Sequence, residues 1–183
     1  CETTGLPTPA EQQLLAPYAH DLPPGTLGPM TVPPNTNPPG SLRANLLQAR
    51  ALLQQAGWTV QGGVLRNAQG QALELEYLDS NEGGLRVVAP WQRNLEKLGI
   101  RLRYRAVDFA LYQQRLQKFD FDITSIAYQG TNNPGQELAD LFGSQAADQE
   151  DSGNFPGVKN PAVDALIDKI VTARTQDELP PAC

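Results

Sequence analysis

Apolar residues along this chain change their spacing from segment to segment, and the changes read as a succession of elements. Behind Ser41, a suitable N-cap, Leu42, Leu46, Ala49, Leu53 and Ala56 recur at helical spacing, and Gly57 closes that helix. Over Leu73–Leu78 the period drops to two: Leu73, Leu75 and Tyr77 alternate with Glu74 and Glu76, as in a strand with one buried face. Helical spacing returns over Leu85–Leu98, with Trp91, Leu95 and Leu98 on a core stripe. Pro90 interrupts this segment, so the regular helix is expected to start there. Ile100–Val107 alternates Ile100, Leu102, Tyr104 and Ala106 against Arg101, Arg103 and Arg105. Asp108 is placed to cap a helix over Phe109–Lys118, with Phe109, Tyr112 and Leu116 facing inward. Phe121–Tyr128 is the most apolar of the three strand candidates and is expected to be the most central.

Ala72–Gly130 therefore reads as β-α-β-α-β, which defines an α/β class built on a parallel sheet. In such sheets ligands sit beyond the carboxyl ends of the strands. Around this core the pattern is less regular. Ten of the 16 prolines fall in the first forty residues, so 1–40 is expected to be a proline-rich wrap with one helical candidate, Pro9–Tyr18. Residues 41–71 add the Ser41 helix and two short extended pieces around Gly62-Gly63. Residues 72–183 hold the α/β core and further helices at Gly135–Phe142 and after Asn160-Pro161, where Val163, Leu166, Ile167, Ile170 and Val171 form a stripe. The whole of 1–183 is expected to form a single lobe.

Composition narrows the function. A chain of 183 residues can bury a core, and 40% hydrophobic content is that of a folded protein. A net charge of −6 and a pI near 4.7 argue against nucleic acid as a partner. No apolar run is long enough for direct membrane insertion, and no signal-peptide pattern opens the chain. The two cysteines, Cys1 and Cys183, are the first and last residues. Three readings stand for them: a terminal disulfide, a lipid-modified Cys1, or two unpaired thiols. With His20 as the only histidine, no metal site is expected. No cofactor fingerprint is present either, since Gly62-Gly63 and Gly83-Gly84 lack the spacing of phosphate-binding loops.

Catalytic constellations are also missing. No nucleophile–base set can be assembled around the single histidine. Paired carboxylates that acid–base chemistry could use are Asp79 with Asp108, or Asp120 with Asp122, and the first pair keeps a small α/β enzyme as the alternative. The Arg101, Arg103 and Arg105 row is expected to pair with Glu74 and Glu76 across neighbouring strands, and Trp58 and Trp91 to pack in the core. What remains is a polar set after the three strands: Asp79, Ser80 and Asn81; then Asp108; then Tyr128, Gln129, Gly130, Thr131 and Asn132. Amides and hydroxyls of this kind can hold a ligand's peptide groups without chemistry.

Several blocks carry a family resemblance: Gly5-Leu6-Pro7 with Glu11 to Pro17, Ala44-Asn45-Leu46-Leu47 through Ala56-Gly57-Trp58, Asn94-Leu95-Glu96-Lys97-Leu98-Gly99-Ile100, Val107-Asp108 with Tyr112, Phe121-Asp122-Ile123, and Asn154-Phe155-Pro156-Gly157 through Asn160-Pro161 to Ile167. In this order they resemble the second lobe of the peptide- and nickel-type (family 5) substrate-binding proteins of bacterial ABC importers. Within that family they are most similar to the subgroup that binds oligopeptides and the antibiotic microcin C. The resemblance implies one lobe of a type II periplasmic-binding-protein fold, noncatalytic and periplasmic. The implied partners are a peptide or peptide-like ligand, a first lobe closing from the other side, and an ABC permease. It further implies that the two ends of the lobe return to the hinge, which would bring Cys1 and Cys183 close enough to pair. Many peptide-binding relatives carry an acid in the loop after the third strand, but Tyr128–Asn133 has none. Recognition through amides and backbone is what the resemblance leaves for this loop.

Overall fold

Several helix starts follow capping residues of the sequence. The computed structural model describes residues 5–30, 32–128 and 134–173. The first helix, α1 (Pro9–Leu15), begins with a capping box: Thr8 Oγ1 accepts the Glu11 N–H at 3.3 Å, and the Thr8 N–H donates to the Glu11 carboxylate at 2.6 Å. A 3₁₀ turn at Ala16–Tyr18 extends it. Helix α2 (Leu42–Gln55) has Ser41 as its cap, with Oγ accepting the Ala44 N–H at 3.1 Å. Strands β1 (Thr59–Gln61) and β2 (Val64–Arg66) pair antiparallel through the Gly62-Gly63 turn. Strand β3 (Glu74–Asp79), helix α3 (Leu85–Glu96), strand β4 (Arg101–Ala106) and helix α4 (Phe109–Gln117) follow. Helices α5 (Glu137–Phe142) and α6 (Pro161–Thr172) complete the described chain.

These residues divide into two compact units. One comprises Pro33–Leu116 and Asp120–Ala127 and contains the sheet; the other comprises the remaining described residues. In the sheet unit β3 and β4 run parallel, with Glu74 opposite Arg101 and Asp79 opposite Ala106. One face presents the charged residues, where Arg101 meets Glu74 at 2.7 Å and Arg105 meets Glu76 at 3.5 Å, so the arginine row is largely neutralised as its alternation suggests. The opposite face joins Tyr77, Val88 and Leu102 into a core cluster. Leu65, Leu98 and Ile100 form a second cluster, on which Leu46, Ala49, Leu53 and Trp58 pack. Gly99 stands between these layers with φ of +80°; a Cβ there would lie 2.7 Å from the Leu65 nitrogen, so both conformation and space require glycine.

Three expectations are corrected. Among the described residues Phe121–Tyr128 forms no regular strand, and its one pairing there is an isolated parallel bridge between Tyr77 and Ile123. Side chains replace the ladder on either side of that bridge. Asp122 Oδ2 accepts the Glu76 N–H at 2.8 Å, and Thr124 Oγ1 donates to the Leu78 carbonyl at 3.1 Å. The central strand is therefore β3, and its Leu78 is fully buried. Helix α3 does not wait for Pro90 but runs through it. The carbonyl deprived of its donor belongs to Arg86, an exposed residue that water can serve. Trp91 leaves the core stripe and is 41% exposed.

In the other unit, the buried Asn154 organises the loop that composition marks only as polar. Its Nδ2 donates to the carbonyls of Gly143 and Val158, both at 3.0 Å, and its Oδ1 accepts the Val158 N–H at 2.9 Å. Asn160 caps α6 as expected and also donates to the Asp21 carbonyl at 2.8 Å. Lys169 sits 5.2 Å from the Tyr18 ring centroid, a second tie between α6 and the wrap.

Two outcomes follow for stability. Leu78→Ala removes a side chain with no exposed surface and is expected to cost about 3 kcal/mol, read as a lower urea midpoint at unchanged slope. The second concerns Glu76. Burial alone would raise its pKa, but Arg115 at 2.8 Å, together with Arg105, holds it below the ordinary glutamate value. A carboxyl lowered in the folded state adds stability above its unfolded pKa and loses it as pH falls through the folded one. Arg115→Met is therefore expected to move the acid-unfolding midpoint upward on a circular-dichroism titration; an unchanged midpoint would show that the pair does not support the fold.

Candidate functional site

The carboxyl ends of β3 and β4 carry a hydrogen-bonded hub in which most polar groups have assigned partners. Asp79, the last residue of β3, uses both oxygens: Oδ1 accepts the Asn81 N–H at 3.1 Å, and Oδ2 accepts the Tyr104 hydroxyl at 2.6 Å. The same hydroxyl also touches the Asn81 carbonyl. Asn81 Oδ1 accepts the Gly83 N–H at 2.8 Å and so caps the 3₁₀ turn Glu82–Gly84 that leads into α3. Burial, reinforced by the adjacent Asp79 carboxylate, pushes the Tyr104 hydroxyl well above the usual tyrosine range, so it remains a proton donor. Its ring stacks on Tyr77, with centroids 5.5 Å apart and planes 19° apart. Gly84 completes the hub because a Cβ there would land on the Asp79 carboxylate and the Tyr104 hydroxyl.

Some groups in this loop remain unused among the described residues. The hydroxyl of half-buried Ser80 and the Nδ2 of Asn81 make no hydrogen bond within the described residues. At the end of β4, the Val107 N–H donates to the Asp79 carbonyl at 3.0 Å, and Asp108 Oδ1 caps α4 by accepting the Leu111 N–H at 3.0 Å. Asp79 and Asp108 are thus occupied as turn and cap acceptors rather than presented as a free acid–base pair. Their neighbours supply what sequence periodicity misses. Phe109, expected on the inner face of α4, is 64% exposed at its first position, and Leu85 is exposed at the first position of α3. The sheet's strand-end surface therefore combines a fixed polar loop with apolar groups.

Tyr128 belongs to the other unit. Its hydroxyl donates to the Gly153 carbonyl at 3.1 Å, and its ring lies 5.4 Å from that of Phe142. Gln129, Gly130, Thr131 and Asn132 lie outside the described residues, as do Cys1 and Cys183. Among the described residues no group of three or more His, Cys, Asp or Glu could hold a metal ion, and no helix is long and apolar enough to cross a membrane.

Comparison with known proteins places this geometry in a class. The profile of bacterial extracellular solute-binding proteins, family 5 Middle, matches residues 14–150. The chain belongs to that family. Its curated relatives include the probable peptide-binding protein YejA of Agrobacterium fabrum, 39% identical over 177 residues, a match covering 96% of this chain and 29% of the relative. Among solved structures, the mannohexaose-bound periplasmic oligopeptide-binding protein of Thermotoga maritima aligns over 73% of this chain and 26% of its own, with a TM-score of 0.60 at 19% identity. The oligopeptide-binding protein AppA of Bacillus subtilis, in complex with a nonapeptide, aligns over 72% of this chain and 27% of its own, with a TM-score of 0.57 at 22% identity. At those identities the likeness is one of fold. The chain spans less than a third of the length of each of these proteins.

The hub yields a local prediction. Tyr104→Phe leaves Asp79 Oδ2 and the Asn81 carbonyl without their donor, at a cost of roughly 1–2 kcal/mol. The expected signature is faster amide exchange confined to Asn81–Leu85, measured by hydrogen-exchange mass spectrometry, with β3 itself still protected. Uniform loss of protection along β3 would mean that the hub does not act locally.

Proposed function

We propose that this chain is the ligand-binding lobe of a periplasmic substrate-binding protein that serves an ABC importer for oligopeptides or peptide-like compounds, and that it is noncatalytic. The observation that carries this reading is family membership joined to the strand-end hub, where a fixed loop leaves the Ser80 hydroxyl and the Asn81 amide nitrogen without a partner among the described residues. Such groups suit hydrogen bonds to a peptide backbone, and exposed Phe109 suits contact with an apolar side chain. The ligand-binding residues in this proposal are Asp79, Ser80, Asn81 and Asp108 of the sheet unit, and separately Tyr128, Gln129, Gly130, Thr131 and Asn132 of the sequence that follows it. Asp79 and Asp108 act through the turns they hold.

In this reading residues 1–183 act as one lobe, a view supported by a family match that crosses both compact units. A second lobe of the longer parent would close over the ligand, and a permease would receive the loaded form. The small-enzyme alternative is disfavoured by the engagement of both strand-end carboxylates.

Calorimetry on the full-length parent with short peptides tests the proposal. Binding in the micromolar range or tighter is expected, Phe109→Ala should weaken it about tenfold, and the isolated 183-residue chain should bind at least about a hundredfold more weakly. Peptide turnover detected by mass spectrometry, or equally tight binding by the isolated chain, would overturn it.

A further inference from the structure

Helix α2 carries five leucines, yet none of its residues is buried. One side of it packs on the Leu65 cluster, while Leu42 and Leu47 stay open to solvent, the latter 58% exposed. Between this helix and the turn after α3 runs an open groove of about 430 Å³, lined by Leu42, Leu46, Leu47 and Leu98 and flanked by Arg43, Arg50 and Lys97. The whole groove lies within the sheet unit. Its size is that of a binding site rather than a packing defect.

The charges around it are the informative part. Acidic residues outnumber basic ones 20 to 14 in this chain, yet α2 contains none, and no carboxylate lies within ion-pair distance of Arg43, Arg50 or Lys97 among the described residues. Arg43 stands in the first turn of α2, where the helix dipole disfavours a cation. Helix stability alone would select the opposite charge there. Arg43 and Arg50 are two helical turns apart on α2, each three or four positions from both Leu46 and Leu47, and Lys97 joins the lining from the turn after α3. Three cations set beside leucines on one surface complement an occupant that carries apolar side chains and carboxylates together.

We propose that this groove is a docking site for an acidic amphipathic helix of a protein partner. Leucine-like side chains would fill the space over Leu46 and Leu98, and flanking Asp or Glu residues would reach Arg43, Arg50 and Lys97. The groove is open and carries three cations, which suits a helix presenting several carboxylates; a single alkyl chain carries at most one. This site uses no residue of the strand-end surface and stands independently of the transport reading.

The test is fluorescence anisotropy with the 183-residue chain and a labelled synthetic helix of about fourteen residues, leucines at helical spacing and glutamates elsewhere. Binding at about 10–100 μM is expected, weakening with added salt and by about tenfold or more in the Arg43→Glu/Arg50→Glu double variant. Both positions are exposed, so that variant should keep its circular-dichroism spectrum and melting temperature. Equal binding of the version with lysines in place of glutamates would overturn the proposal, as would absence of binding at millimolar concentration. So would binding of dodecanoate but not the peptide, or a sedimentation-detected dimer abolished by Leu47→Glu, which would assign the groove to a second copy.

Discussion

The sheet unit depends on the fact that β3 is bonded along both edges. On one side β4 pairs with it in parallel register from Glu74 to Asp79. On the other, Asp122, Ile123 and Thr124 satisfy the backbone of Glu76 and Leu78 with one peptide bridge and two side chains. A buried strand cannot leave its N–H and carbonyl groups unpaired without large desolvation costs. That constraint places Leu78 wholly inside and fixes where β3 must end. The end of β3 is Asp79, the residue from which the strand-end loop is hung.

Because the loop hangs from a buried strand, its order comes from the sheet rather than from itself. Tyr104 on β4 reaches across to Asp79 and Asn81, so one residue of the second strand sets the turn after the first. Gly84 then permits the close approach that the hub needs. Groups already satisfied by the protein have little to gain from a ligand, whereas unsatisfied groups on a fixed backbone meet one at small entropic cost. The division between Asp79 and Asp108, which hold structure, and Ser80 and Asn81 Nδ2, which remain free, follows from this hydrogen bonding.

Much of this was legible in the sequence where the determining interaction is local. Ser41, Asp108 and Asn160 cap their helices as their positions suggest, because a cap needs only a side-chain oxygen and an N–H two or three residues on. The parallel pairing of β3 and β4 follows from two alternating segments with a helix between them. The third strand was not legible, because apolar alternation cannot reveal that Asp122 and Thr124 would occupy ladder positions with their side chains. Phe109 and Trp91 fall on helical stripes yet are exposed, because periodicity does not encode which neighbours cover a stripe. The partnership of Tyr104 with Asp79 joins residues 25 positions apart and leaves no local mark.

The same distinction explains why the two apolar surfaces of the sheet unit carry different meanings. At the strand ends, exposed Phe109 and Leu85 adjoin a polar loop whose conformation is locked by buried groups. On α2, exposed leucines adjoin cations that nothing among the described residues neutralises, on a helix whose dipole opposes one of them. An apolar patch alone states only that area could be covered. In the proposed readings, fixed hydrogen-bonding groups at the first surface would select for a ligand's polar pattern, while cations at the second would select for the sign of its charge. Each proposal thus rests on the polar groups beside an apolar area, and that difference is the physical ground for proposing two separate sites.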